Sequence, residues 1–139
     1  MEPTLTLSEP ARSTAGILLL AIVTIEFGGT YLLRIVRGGV PATPFQVAFA
    51  RAGHAHAGVL VMLALLCQLY VDAVDLEGAA ATVARSGVAV AAVMMSAGFF
   101  LSSAGKGRTH PNRSVALVYV GGASLAAGTL TLGFALIAS

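Results

Sequence analysis

The sequence predicts an all-α fold, an integral membrane bundle of four transmembrane helices that forms a single domain over residues 1–139. The composition is 57% hydrophobic and only 10% charged, whereas a soluble domain carries about 25% charged residues. Four apolar segments are each long enough to cross a bilayer, which takes about 20 residues. The chain has too little polar surface for a water-soluble globule, so we expect the lipid bilayer to be its solvent.

The first two predicted helices span residues 15–36 and 45–71. Ser13 or Thr14 can provide the N-cap of the first helix. The connection between them, RGGVPATP at residues 37–44, holds two glycines and two prolines, which forbid a continuous helix. The second helix ends at the acidic stretch DAVDLEG.

The third and fourth predicted helices span residues 81–103 and 115–138, joined by AGKGRTHPNR. Asn112 or Ser114 can cap the fourth helix. Glycine and alanine are frequent within the helices, and small residues let transmembrane helices approach closely. We therefore expect a tight bundle and a homo-oligomer, because four short helices bury little by themselves.

Charge is distributed unevenly over the three connections. The first and third are basic and the second is acidic; the charged residues are Arg34, Arg37, Lys106, Arg108 and Arg113 against Asp72, Asp75 and Glu77. The positive-inside bias predicts a multi-pass protein of the cell membrane with loops 37–44 and 104–113 in the cytoplasm. The chain has only eight Lys and Arg, scattered at helix ends, so no nucleic-acid partner is expected. The single Cys67 excludes an internal disulfide.

Polar residues interrupt the second predicted helix at FARAGHAHAGVLVML, residues 49–63, which contains Arg51, His54 and His56. A charged group in the bilayer core costs ~2.5–3.5 kcal/mol. At about 1.5 Å per residue, Glu26 of the first helix and His54 lie at one depth if the two helices are antiparallel neighbours. The sequence therefore predicts that Glu26 can pair with His54 or Arg51.

The two histidines are two positions apart, about 200° around a helix axis, so we expect them to point to opposite sides. One helix cannot offer both to one metal ion as an i, i+4 pair does. Phe99 and Phe100 of the third helix reach the same layer. Small neighbours leave room for a flat group such as haem; they are Gly53, Ala55, Ala57 and Gly58. The residues alone leave three alternatives open: a structural ion pair, a proton or ion path built on Glu26 and the histidines, and a haem site.

Two short motifs carry a family resemblance over residues 15–113. In AGHAHAG, the residues Ala55-His56-Ala57-Gly58 stand in register with the ARAHSG segment of styrene oxide isomerases, which are small four-helix membrane enzymes. The stretch GFFLSSAGKGRTHPNR, residues 98–113, is similar to that family's GFYLFS followed by SPNR.

The resemblance implies a haem b bound between the subunits of a homotrimer, with His56 as the iron ligand. In that family ferric iron acts as a Lewis acid on an epoxide oxygen, and a hydride shift yields an aldehyde. The expected substrate is a small apolar epoxide. Arg51 would pair with a haem propionate or with Glu26; the other residues expected around the cofactor are His54, Gly58 and Phe99.

Three positions match or lie near the family's catalytic site. The catalytic asparagine corresponds to Met62 and the catalytic tyrosine to Phe100, and neither side chain here can donate a hydrogen bond. Asn112, within the second motif, is either a site residue or a helix cap. The alternative function is a haem sensor, electron carrier or accessory subunit without isomerase activity, with a six-coordinate iron that uses His54 of a neighbouring chain.

Overall fold

The computed structural model describes residues 6–139, and over this range the chain forms four long α-helices. They are α1 (Glu9–Val36), α2 (Pro44–Ala73), α3 (Gly78–Ser103) and α4 (Ala116–Ala138), and a short 3-10 turn at Arg113–Val115 leads into α4. All four are long and apolar enough to cross a membrane. The predicted fold class is confirmed: the chain is an all-α, multi-pass membrane protein built as a four-helix bundle.

The residues at which the helices begin depend on capping hydrogen bonds, which a hydropathy profile does not detect. The Ser8 hydroxyl accepts from the Ala11 amide, and proline in the first turn has no amide to leave unpaired, so α1 begins at Glu9 rather than at residue 15. The predicted cap at Ser13 or Thr14 is therefore wrong. Thr43 and Gln46 form a reciprocal capping box that starts α2 at Pro44.

The third helix occupies the centre of the arrangement. It packs along both α2 and α4, whereas α1 contacts mainly α2. The core lies chiefly along the α2–α3 contact and consists of Leu18, Leu60, Val61, Ala64, Cys67, Val71, Ala84, Val88, Ala91, Ala92 and Leu132. Alanines dominate the α3 side of this core, so the backbones of the two helices approach closely.

A polar cluster ties three helices together at the acidic end of the bundle. The Asp72 carboxylate forms an ion pair with Arg85 of α3 and accepts hydrogen bonds of 2.9 Å from the amide and the hydroxyl of Ser8, the cap of α1. Gln68, fully buried, donates from its side-chain nitrogen to the backbone oxygens of Arg85 (2.9 Å) and Ala64 (3.2 Å). Asp72 thus joins the start of α1 to α2 and α3.

Replacing Asp72 by asparagine is expected to lower the free energy of unfolding by about 1–2 kcal/mol, because hydrogen bonds to a charged group weaken and Arg85 loses its counter-charge. The matched control is Asp75→Asn, since Asp75 is exposed and forms no ion pair with any residue in 6–139. Thermal unfolding in detergent, followed by circular dichroism, measures both. Equal melting temperatures for the two variants would contradict the structural role of this cluster.

The basic end of the bundle is closed by bonds between loops and helix ends. The Gln46 side-chain nitrogen donates to the backbone oxygens of Ser103 (2.9 Å) and Gly105 (2.6 Å). Asn112 caps the turn before α4, and its side chain also donates to the Leu101 carbonyl at 2.9 Å. Of the two expectations for Asn112, the structure therefore supports the helix cap.

Candidate functional site

The His56 imidazole has one nitrogen engaged and one free. Its Nδ1 lies 2.7 Å from the carbonyl oxygen of Ala52, one turn earlier on α2. A carbonyl oxygen only accepts, so we assign the ring proton to Nδ1, which donates this bond. The lone pair of Nε2 is then available, and a histidine that ligates a metal usually donates its other ring N–H to a carbonyl or carboxylate in this way.

His56 faces an open groove on the side of the bundle where α2, α3 and α4 meet. The groove has a volume of about 310 Å³, and its other lining residues are all apolar: Ala55, Val59, Leu60, Met95 and Leu125. The Phe99 ring lies beside the imidazole, with ring centroids 4.9 Å apart and planes inclined at 37°. The site is therefore a single imidazole in an apolar, aromatic setting.

His54 points to the other side of α2, against α1. A methyl group added at Gly29 would lie 3.4 Å from His54 Cε1, and one added at Gly28 would lie 3.7 Å from Nδ1. These are ordinary van der Waals distances, so the His54 ring packs directly against this part of α1. The prediction that the two histidines face opposite sides is confirmed, and no residue in 6–139 forms a hydrogen bond with the His54 ring.

The predicted residues of α1, α2 and α3 lie at one depth in the bundle. The contact of His54 with Gly28 and Gly29 places this part of α1 level with the histidines. On the α3 side, a methyl group added at Gly53 would lie 2.9 Å from Phe100 Cε2, so Gly53 is required for this packing. The small residue at position 53 thus makes room for the Phe100 ring.

Exposed residues of α2 form a stripe along one edge of the His56 groove. Arg51, Ala55, Val59 and Met62 are three or four positions apart and all exposed, so they share one face. Ala55 and Val59 line the groove itself. Arg51 lies one turn from Ala55 toward the basic end, and Met62 continues the stripe in the other direction.

Glu26 does not pair with Arg51 or His54 within one chain. Over residues 6–139 the ion pair that forms is Arg85–Asp72, and both Glu26 and Arg51 are exposed. The expected depth of Glu26 holds, since it lies two residues before Gly28. The predicted direction of the Glu26 side chain is wrong, because counting residues gives its depth in the membrane and not its direction around the helix axis.

The other predicted positions do not converge on His56 in the single chain. Phe100 lines a separate cavity near the basic end, and Asn112 caps the turn before α4. Gly58 is half-buried with open space around the position of its missing Cβ, about 200° from His56 on the helix. Met62 lies beyond the groove on the exposed stripe.

The two groove residues that come from α3 and α4, Met95 and Leu125, were not predicted as part of the site. Met95 lies four positions before Phe99 and therefore on the same face of α3, a signal that could have placed it near the imidazole. Leu125 of α4 carries no such signal, because α4 is apolar on every side. A third group, the Ser96 hydroxyl, is buried without a hydrogen-bond partner in residues 6–139.

No three His, Cys, Asp or Glu side chains within residues 6–139 lie close enough together to hold a bare metal ion. A haem iron differs in needing only one or two side-chain ligands, because the porphyrin supplies the other four. No family model, curated protein or solved structure matches the chain.

Proposed function

We propose that this chain is a haem b membrane protein of the styrene oxide isomerase type, which converts an epoxide or a similar strained ring into a carbonyl compound by a 1,2-shift. The observation that carries the proposal is the His56 imidazole, whose Nδ1 is held by the Ala52 carbonyl while Nε2 is free at an apolar groove. His56 is also the residue that the family resemblance assigns as the iron ligand.

The residues around His56 fit a haem in three respects. The fixed tautomer leaves Nε2 free, so His56 would hold the haem iron through this nitrogen. Phe99 and the apolar groove residues offer the kind of surface that the porphyrin plane packs against. Arg51 lies one turn along the groove edge and has no ion pair in the described part of the chain, and it would pair with a propionate.

When bound, ferric haem supplies a Lewis acid for the oxygen of a strained ring. The chain itself contributes the shape of the groove and the exclusion of water from it. Apart from His56, its lining offers no side chain that acts as an acid or base, so substrate recognition rests on apolar contact. Exclusion of water favours rearrangement of an opened ring over its hydrolysis to a diol, which fits a small apolar substrate.

The groove is open along its outer side, which supports a site completed by a second copy of the chain. The exposed stripe with Arg51 and Met62 borders this opening. A homotrimer, as the resemblance implies, would cover it and exclude lipid. We place the protein in the cell membrane with loops 37–44 and 104–113 in the cytoplasm, because the basic residues cluster at that end.

The second candidate is a haem sensor, electron carrier or accessory subunit without isomerase activity. The free ring of His54 favours it, because an imidazole without a hydrogen bond inside a membrane is a possible second ligand. His54 and His56 of one chain face opposite sides, so a six-coordinate iron would need His54 from a neighbouring chain.

Absorption spectra of the detergent-purified protein, with and without dithionite, test the proposal. We expect a Soret band, and we expect the oxidised protein to form aldehyde from styrene oxide while the reduced protein forms none. A six-coordinate spectrum with no turnover across a panel of epoxides and aziridines would support the second candidate. A colourless protein from a host well supplied with haem would falsify both.

A further inference from the structure

A second cavity lies at the basic end of the bundle, between α1, the start of α2 and the end of α3. It has a volume of about 390 Å³, within the usual range of about 300–1,000 Å³ for small-molecule sites. Its residues include Tyr31, Ile35, Gln46, Ala50, Phe100 and Lys106. None of them lines the His56 groove, so the cavity is separate from the site proposed above.

The charged residue of this cavity lies at the surface end, and apolar side chains line its deeper part. Lys106 belongs to the loop after α3, while Phe100 lies nearly one turn inside that helix. Ala50, well inside α2, forms apolar wall opposite Phe100, whereas Ile35 lies next to the end of α1 at the surface. A ligand here would meet a cation at the membrane surface and hydrocarbon side chains further in.

Most hydrogen-bonding groups of the cavity are already used by the protein. The Gln46 amide donates to the carbonyls of Ser103 and Gly105, and the Ser103 hydroxyl donates to the Phe99 carbonyl at 3.0 Å. Within residues 6–139, no hydrogen bond or ion pair engages the Tyr31 hydroxyl or the Lys106 ammonium. The cavity therefore keeps two free donors: the charged Lys106 ammonium in the loop at the surface, and the Tyr31 hydroxyl on α1, one turn deeper than Ile35.

The surrounding charge is uniformly positive. Five basic residues lie at this end, and the sequence has no Asp or Glu between Glu26 and Asp72 or after Glu77; the five are Arg34, Arg37, Lys106, Arg108 and Arg113. An uncompensated basic rim above an apolar pocket between transmembrane helices suits an anionic lipid headgroup. A soluble anion would gain nothing from the apolar wall.

We propose that this cavity is a binding site for an anionic phospholipid. Its phosphate would accept from Lys106 beside Ile35 at the surface, and the first part of one acyl chain would lie deeper, against Ala50 and Phe100. The inference does not depend on the proposed function, because it uses neither His56 nor a haem. Occupation would fix the end of α1 against α3, so the protein should be more stable in bilayers that contain such lipids.

The test measures retention of dioleoylphosphatidylglycerol by the purified full chain, using native mass spectrometry, against dioleoylphosphatidylcholine with the same acyl chains. We expect the anionic lipid to be retained preferentially. Lys106→Gln should weaken its binding about fivefold, the equivalent of about 1 kcal/mol for one basic residue near a charged surface. Arg113→Gln is the matched control, since it removes a cation from the same end without touching the cavity.

A second variant tests the apolar part of the site. Ala104 is exposed, lines the cavity and has ordinary backbone angles, so Ala104→Leu should fold and partly fill the space. We expect it to reduce retention of the anionic lipid while leaving the basic residues unchanged. Equal losses in the Lys106 and Arg113 variants, equal retention of the two lipids, or full displacement by inorganic phosphate would overturn the proposal.

Discussion

The alanine variant of His56 is expected to lose the Soret band of the purified protein. Removing a residue that only supports a metal ligand already lowers affinity about 10–100-fold, so losing the ligand itself should cost at least as much. No other titratable side chain lines the groove, so nothing replaces the imidazole there. Haem content per chain, measured as the pyridine haemochrome, gives the result directly.

The chain offers an internal control because it has three histidines in different settings. His110→Ala, in the exposed loop before α4, should leave the spectrum unchanged. His54→Ala separates the two candidate functions: the spectrum stays the same if iron is five-coordinate, and changes from six- to five-coordinate if His54 of a neighbour is the second ligand.

Chemical rescue distinguishes loss of the ligand from misfolding of the His56 variant. Imidazole added to the medium should fill the space left by the deleted ring and restore the Soret band, because it supplies the same ligand nitrogen. If the His56 variant keeps full haem content while the His54 variant loses it, the assignment of the ligand is reversed. Unchanged helicity by circular dichroism excludes a general loss of fold.

Hydropathy was sufficient to predict the four helices but not their ends. Segment length and the Gly and Pro residues of the first connection fixed the number of spans, because a bilayer imposes a minimum length on each. The start of α1 was missed since Ser8 and Glu9 are polar and lie outside the apolar segment. Helix caps are formed by individual hydrogen bonds, which the mean hydropathy of a segment does not detect.

In the candidate site, too, part of the geometry could be predicted from the sequence and part could not. The opposite directions of His54 and His56 followed from helix periodicity alone, and the structure confirms them. The residues that meet His56 from α3 and α4 depend on how these helices rotate and pack. That rotation is set by close glycine contacts, and a sequence that is apolar on every side, as in α4, does not reveal which face is used.

The Gly87→Val variant is expected to disrupt the packing of α3 against α4. A Cβ atom at position 87 would lie 2.8 Å from Gly128 Cα and 2.9 Å from the Ser124 carbonyl oxygen. Both are backbone atoms, so no change of side-chain rotamer can relieve the clash. The Ser124 hydroxyl also donates to the Gly87 carbonyl at 2.8 Å, and separating the helices breaks this bond. We expect the free energy of unfolding to fall by about 3 kcal/mol, at the upper end for overpacked contacts.

Alanine at the same position gives a sharper test, because the sign of its effect depends on the contact. In an open part of a helix, Gly→Ala stabilises by roughly 0.5–1 kcal/mol, since glycine has more conformational freedom to lose on folding. Gly122 of α4 has nothing within 4 Å of its missing Cβ, so Gly122→Ala should raise the melting temperature. Gly87→Ala should lower it. If both variants raise it, the helices are not held at the glycine contact, and the groove that α4 completes around His56 would have a different shape.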